Sequence, residues 1–234
     1  LLPGLWQEAR SWPKEDREAL AAALVRYRAV LGQYAHPEVE EALALLAQAE
    51  DPRLRASARI KAAEAKADAG LYKEAEALLP PEEEFPLLDE TARAEGLLVR
   101  AAVERWKGDY EKAARYAERA AELSVAPFLK DRVQLWRGLV AKDLGRYEEA
   151  LKLALVSPYE HDRSAEKKEK NLLRQHWGEW SKCKGLLSRS HARSLVDYLL
   201  NHPGDFRGAV ERLNPDLRGL YLSAYQSFLW NQTL

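Results

Sequence analysis

Apolar positions recur at helical spacing along most of the chain. Between Glu15 and Leu31 they fall at Leu20, Leu24, Tyr27 and Leu31, and between Pro37 and Ala49 at Val39, Leu43 and Leu46. A three-to-four residue period predicts helices with one buried face, and Pro37 suits a first helical turn. Further along, a longer period emerges. The signature Gly-x-Tyr-x-x-Ala stands at Gly70, Tyr72 and Ala75, at Gly108, Tyr110 and Ala113, and at Gly145, Tyr147 and Ala150, with 38 and 37 residues between successive glycines. Each glycine falls where a helix must end in the left-handed conformation that glycine adopts cheaply. Each tyrosine is then expected to open a second helix and pack into the core of the pair. Ala63, Ala101 and Gly138 stand seven residues before the glycines, and Ala120 stands seven after Ala113. Small residues at those positions predict a tight helix crossing. Pro80, Pro81 and Pro127 punctuate the units.

This period resembles the tetratricopeptide family over about residues 54–157. Units of that family are helix–turn–helix repeats of about 34 residues. The resemblance implies an interaction scaffold for a protein or peptide ligand. Residues 1–50 carry only a degenerate echo at Gly32 and Tyr34, with a proline where alanine is expected. They read as the atypical capping helices that stacked arrays need. Trp106 and Trp136 lie in first helices and are candidates to line a groove, with core packing the alternative. Glu82, Glu83 and Glu84 read as a solvated loop.

Composition shifts near Ser157. Residues 1–157 hold 33 of the 37 alanines, and residues 158–234 hold all four asparagines and four of the five histidines. The first part, poor in Asn and Cys and rich in Glu, Arg and Ala, has a thermophile bias. Its net charge is −4, against +3 for the second part. Two segments, 1–157 and 158–234, are therefore expected, with the charged run Glu160–Lys170 as linker or first turn of a helix. Beyond it, helices are expected from Leu172 to about Trp177, over Ser194–Leu200, over Asp205–Leu213 and from Leu217 to Trp230, with no repeat. The fold class is all-α: an antiparallel helix–turn–helix array followed by a smaller helical segment.

The last of these helices carries a second resemblance. Leu217-Arg218-Gly219-Leu220-Tyr221-Leu222-Ser223-Ala224-Tyr225-Gln226-Ser227-Phe228-Leu229-Trp230-Asn231, with Asn201 to Phe206, Gly208 to Val210 and Leu213 to Pro215 before it, is similar to TruD-type tRNA pseudouridine synthases. The similarity covers about residues 168–234. It implies isomerisation of a uridine in tRNA, without a cofactor, by an aspartate in a Gly-x-Lys-Asp motif. No such motif occurs in the chain, and His161-Asp162-Arg163 lacks the Gly and Lys that should precede it. No catalytic residue is assigned. By resemblance Asn231 belongs to the active-site neighbourhood, with Gln226 and Tyr225 behind it. Arg218, Arg212, Arg193 and Arg189 are candidates to touch RNA phosphates, because a guanidinium gives bidentate contacts. Two readings stand: an interaction scaffold joined to a catalytically incomplete TruD-like segment, or part of a tRNA pseudouridine synthase carrying a repeat extension. In the second, tRNA is the partner.

The remaining features exclude more than they assign. A net charge of −1 gives no global pull toward nucleic acid or membrane. The longest apolar run, Ala19 to Val25, is too short to span a bilayer. Cys183 is the lone cysteine, which suits a reducing cytoplasm. His176, Cys183 and His191 lack the spacing of a zinc site, so no metal is expected. Phosphate-binding loops, nucleophile elbows and dinucleotide fingerprints are missing. With Leu1 first and no methionine anywhere, a stretch of a longer or processed chain is expected.

Overall fold

The computed structural model describes residues 2–30, 36–123, 125, 127–159 and 162–213. Among these every regular element is helical, as the periodicity predicts. The helices are α1 (Leu2–Glu8), α2 (Lys14–Val30), α3 (Pro37–Leu46), α4 (Pro52–Asp68), α5 (Tyr72–Leu78), α6 (Glu90–Lys107), α7 (Tyr110–Ala121), α8 (Pro127–Asp143), α9 (Tyr147–Val156), α10 (Ser164–Gln175), α11 (Trp180–Leu186), α12 (His191–Asn201) and α13 (Phe206–Glu211). Short 3-10 helices cover Ala9–Ser11 and Glu82–Leu87.

The three signature glycines end α4, α6 and α8 with φ of 77°, 86° and 74°. Each turn closes identically. The N–H after the glycine donates to the carbonyl five residues back: Leu71 to Lys66 at 2.8 Å, Asp109 to Glu104 at 2.9 Å and Arg146 to Ala141 at 2.8 Å. This is the six-to-one bond of a helix-ending left-handed turn. The next helix starts at once, so neighbours run antiparallel and close. Ala63, Ala75, Ala101, Ala113 and Ala120 at the crossings are completely buried.

Left-handed glycines recur where no repeat was expected. Gly178 and Gly204 also have positive φ, 91° and 84°. Trp180 and Phe206 open α11 and α13 in the tyrosine position, and buried Cys183 and Ala209 follow in the alanine position. The left-handed glycine turn thus recurs in the C-terminal segment with a shorter closure, the Glu179 N–H donating to His176 and the Asp205 N–H to His202. Its signature is hidden there by exchange of Tyr for Trp or Phe and of Ala for Cys.

Several expectations need correcting. Tyr110 is 39% exposed, not core, and Tyr72 and Tyr147 are half-buried. As first residue of its helix, Tyr110 stands beyond the last turn of α6, and the inward positions of α7 belong to Ala113, Tyr116, Ala117 and Ala120. Tyr27 is exposed as well. Glu82 is no solvated loop residue. Its carboxylate accepts the Tyr116 hydroxyl at 2.7 Å and Arg119 Nη1 at 2.8 Å. Burial opposes its charge, yet those hydrogen bonds hold the carboxyl below its ordinary range. Of the two readings of the charged run, linker or first helical turn, the structure shows helix from Ser164 onward.

Three hydrophobic clusters fill the stack. One joins α1–α4 around Leu24 and Val39. A second joins α4–α8 around Ile60, Leu98, Leu129 and Val133. A third begins at Ala141, takes in Ala150, Leu151 and Leu155 of α9, and continues through Leu173, Trp180, Leu195 and Val210. Helix α8 contributes to both of the last two.

Charge is also buried between α4, α6 and α8. The Lys61 ammonium lies 2.7 Å from Glu95 and 3.1 Å from Glu64, and Arg132 donates to Glu64 at 2.6 Å. Side-chain exposure is only 12%, 7% and 3% for Lys61, Glu95 and Glu64. Desolvation pulls the lysine toward neutrality, but the Glu64 and Glu95 charges outweigh it and raise its pKa.

Two stability tests follow. Tyr116→Ala should cost about 3–5 kcal/mol, as removal of a buried aromatic does, and Tyr110→Ala about 1 kcal/mol or less. Urea denaturation of both variants checks this, and equal losses would place the core wrongly. Lys61→Met should cost about 3–5 kcal/mol by leaving buried carboxylates facing each other without their cation. A melting temperature unchanged from the parent would show that the network is not closed.

Candidate functional site

The C-terminal helices are tied together by polar groups, among them two of the arginines that the sequence offered as RNA candidates. Asp205 caps α13 by accepting the Gly208 N–H at 2.8 Å and also takes the Tyr198 hydroxyl. A Cβ on Gly208 would overlap the Asp205 carboxylate and the Tyr198 hydroxyl, so those side-chain tips would have to shift. Arg212 closes the same corner. Its guanidinium lies 3.8 Å from the Tyr198 ring centroid and donates to the Gly208 carbonyl at 3.0 Å. Arg193 is half-buried and donates to the Leu187 carbonyl at 3.0 Å, behind the end of α11. Both arginines hold the fold. Arg212 is nonetheless exposed, as is Arg189 in the loop before α12.

Asp162 has no catalytic setting. It accepts the Tyr159 N–H at 2.8 Å and the Lys170 ammonium at 2.6 Å, and Lys170 in turn lies 4.1 Å from the Tyr159 ring centroid. Burial draws the Lys170 pKa down, against the pull of Asp162. This knot ties the start of α10 to the end of α9. Asn231, Gln226, Tyr225 and Arg218 lie outside the described residues.

The groove candidates have separate surroundings. Trp106 is 53% exposed at the hairpin end and stacks on Tyr72 with ring centroids 6.0 Å apart. Trp136 packs against the second hydrophobic cluster. Neither lines the two cavities of the C-terminal half. One, of about 470 Å³, opens between α8, α9 and α13, with Lys142, Asp143, Tyr147, Tyr159, Glu211 and Leu213 on its walls. The other, of about 640 Å³, is a shallow groove along Arg146, Lys152, Asp205 and Arg207. Among the described residues no three metal-ligating side chains gather. Cys183 donates its thiol to the His176 carbonyl at 3.2 Å, and burial pushes that thiol's pKa up. No helix among the described residues is long and apolar enough to cross a membrane.

Against this geometry the comparisons with known proteins are specific. Residues 137–234 match the family tRNA pseudouridine synthase D (TruD). The chain is 32% identical over 101 residues to the probable tRNA pseudouridine synthase D 1 of Methanococcus maripaludis, covering 41% of this chain and 26% of that protein. It is 28% identical over 100 residues to the probable tRNA pseudouridine synthase D 2 of Methanocaldococcus jannaschii, covering 40% and 24%. It is 34% identical over 89 residues to the tRNA pseudouridine synthase D of Aquifex aeolicus, covering 38% and 22%. The chain thus spans about a quarter of the length of these relatives. No tetratricopeptide family matches, and no solved structure matches. The matched stretch begins inside α8, close to Ala141, where the third hydrophobic cluster begins.

The corner around α13 gives its own test. Gly208→Ala should break the Tyr198–Asp205 contact and the α13 cap and cost about 1–3 kcal/mol, the usual range for forcing atoms into a filled site. Hydrogen exchange should report the loss first in α12 and α13. Protection equal to the parent's there would show that the corner tolerates the extra methyl.

Proposed function

We propose that residues 137–234 are a segment of a TruD-type tRNA pseudouridine synthase and that the preceding hairpins are a helical extension of it. The supporting observation is the family match together with its start at the point where the C-terminal hydrophobic cluster starts. The seam between extension and enzyme segment then falls within α8 rather than at 157/158. The reaction of such an enzyme breaks the C1′–N1 glycosidic bond of a uridine in tRNA and joins C1′ to C5, so substrate and product are isomers and no cofactor is consumed. Asn231, Gln226 and Tyr225 would neighbour the reacting nucleotide, and a cytoplasmic site of action fits the substrate.

The reading of the array as a peptide-binding scaffold has less support. Its tetratricopeptide resemblance finds no family match, and Lys61, Glu64, Glu95 and Arg132 are engaged with one another.

A segment exchange tests the enzyme reading. Residues 137–234 replace the matched stretch of the M. maripaludis relative, and pseudouridine in tRNA is measured by mass spectrometry. The chimera should form pseudouridine. A folded chimera that forms none, beside an active parent enzyme, would sink the proposal. The 234-residue chain by itself should form none, because it offers no Gly-x-Lys-Asp carboxylate. Product from the chain that disappears in Asp162→Ala would overturn that expectation.

A further inference from the structure

Helix α10 separates its charges by face. Its outward stripe is Ser164, Lys167, Lys168, Asn171, Arg174 and Gln175, all exposed. Three are cations, three are neutral hydrogen-bonding groups, and none is a carboxylate. Of the acids of the helix, Glu166 is exposed off that stripe and Glu169 is half-buried, and both accept hydrogen bonds. Glu166 accepts the Arg163 N–H at 2.8 Å at the helix start, and Glu169 accepts the Ser188 hydroxyl at 2.7 Å. Asp162, just before the helix, is held by Lys170.

The Ser188–Glu169 bond does more than occupy an acid. It draws the loop between α11 and α12 against the middle of α10, and exposed Arg189 is the next residue of that loop. Arg174 spends its guanidinium on Asn171 and on the Val156 carbonyl. The side chains of Lys167, Lys168 and Arg189 make no hydrogen bond or ion pair among the described residues. Exposed charge on the array is arranged otherwise. On α7 both signs alternate and pair with neighbouring elements, Glu111 with Arg146, Glu118 with Arg137 and Arg119 with Glu82.

We infer that the outward face of α10, with Arg189 beside it, is a contact surface for the phosphate backbone of RNA. The inference rests on the tRNA reading above and adds where on this chain the RNA lies. A face of free cations interleaved with hydroxyl and amide donors suits phosphate and sugar oxygens, which carry most protein–nucleic acid hydrogen bonds. Such contacts release condensed counterions and make binding fall with salt. The face positions RNA and reads no sequence. It also divides the arginine candidates: Arg189 touches RNA, and Arg193 and Arg212 keep to their structural bonds.

The test is binding of unmodified tRNA to the whole 234-residue chain by fluorescence anisotropy across a salt series. The triple variant K167E/K168E/R189E should bind at least about tenfold more weakly at low salt, and its log K against log salt slope should fall by about three, one per lost phosphate contact. The neutral triple K167Q/K168Q/R189Q should lose the same slope with a smaller loss of affinity. Three exposed array cations, reversed in K73E/R115E/K130E, provide a charge-matched control that should stay within about twofold of the parent. Parent-like binding by the first two triples, or an equal loss in the control, overturns the surface assignment while leaving the segment exchange to decide the enzyme reading. Absence of any tRNA binding by the parent chain likewise overturns the surface assignment, and the segment exchange still decides the enzyme reading. A face-dependent loss seen with polyglutamate but not with tRNA gives the surface to an acidic protein and overturns the RNA assignment.

Discussion

The left-handed glycine turn is the constraint from which the rest of the architecture follows. At Gly70, Gly108 and Gly145 the chain ends one helix and opens the next within two residues, because the N–H after each glycine reaches back to the carbonyl five residues earlier. A side chain with a Cβ would cost about 1–2 kcal/mol at such a φ. A turn this short leaves the two helices little separation, so methyl-sized residues must stand at the crossings. Ala75, Ala101 and Ala113 do so with no exposed surface. Aromatic residues then shield the splayed hairpin ends. That position is semi-exposed by nature, which is why a bulky ring there need not be core.

Burial of charge is the second organising feature, and it bears on function. Where α4, α6 and α8 lie side by side, two cations and two carboxylates neutralise each other out of solvent. Removing one partner of such a set is costly, whereas the intact set adds little beyond an apolar contact. Its role is better seen as fixing which helix faces which. Charges committed in this way are lost to any ligand. The C-terminal segment makes the opposite choice on α10, where acids are drawn into caps and loop contacts and cations are left outward.

Much of this was legible in the sequence, and the failures have identifiable causes. The Gly-x-Tyr-x-x-Ala signature gave three turns, and the apolar spacing gave α2 and α3, because backbone conformation and one-sided burial leave marks in residue type. The start of α10 was left open between linker and helix because its first two turns bury no large apolar residue; periodicity registers only where a face is buried. Helix α11 was missed because Trp180 and Cys183 replace the signature's Tyr and Ala. Arg193, Arg212 and Arg189 look alike in sequence. Only the fold shows that the first two are spent on backbone carbonyls. Glu82 read as solvated because nothing local announces Tyr116 and Arg119, more than thirty positions away.

The compositional break near Ser157 and the beginning of the family match at 137 do not coincide, and α8 explains how both can hold. Leu129 and Val133 of this helix belong to the array's core, and Ala141 to the core of the C-terminal segment. A seam inside a helix differs physically from a seam in a linker. A linker lets two bodies rotate and unfold separately, whereas a shared helix transmits orientation and couples stability between neighbours, as in stacked repeats. On the proposed reading, the hairpin α8–α9 is both the last unit of the extension and the first of the enzyme-like segment. Turning α8 would require repacking Val133 and Ala141 in two cores at once. The same sharing explains why composition places the join late. Helix α9 keeps the alanine-rich character of the array, through Ala150 and Ala154, while its Leu151 and Leu155 pack with Leu173 and Leu195 of the helices that follow.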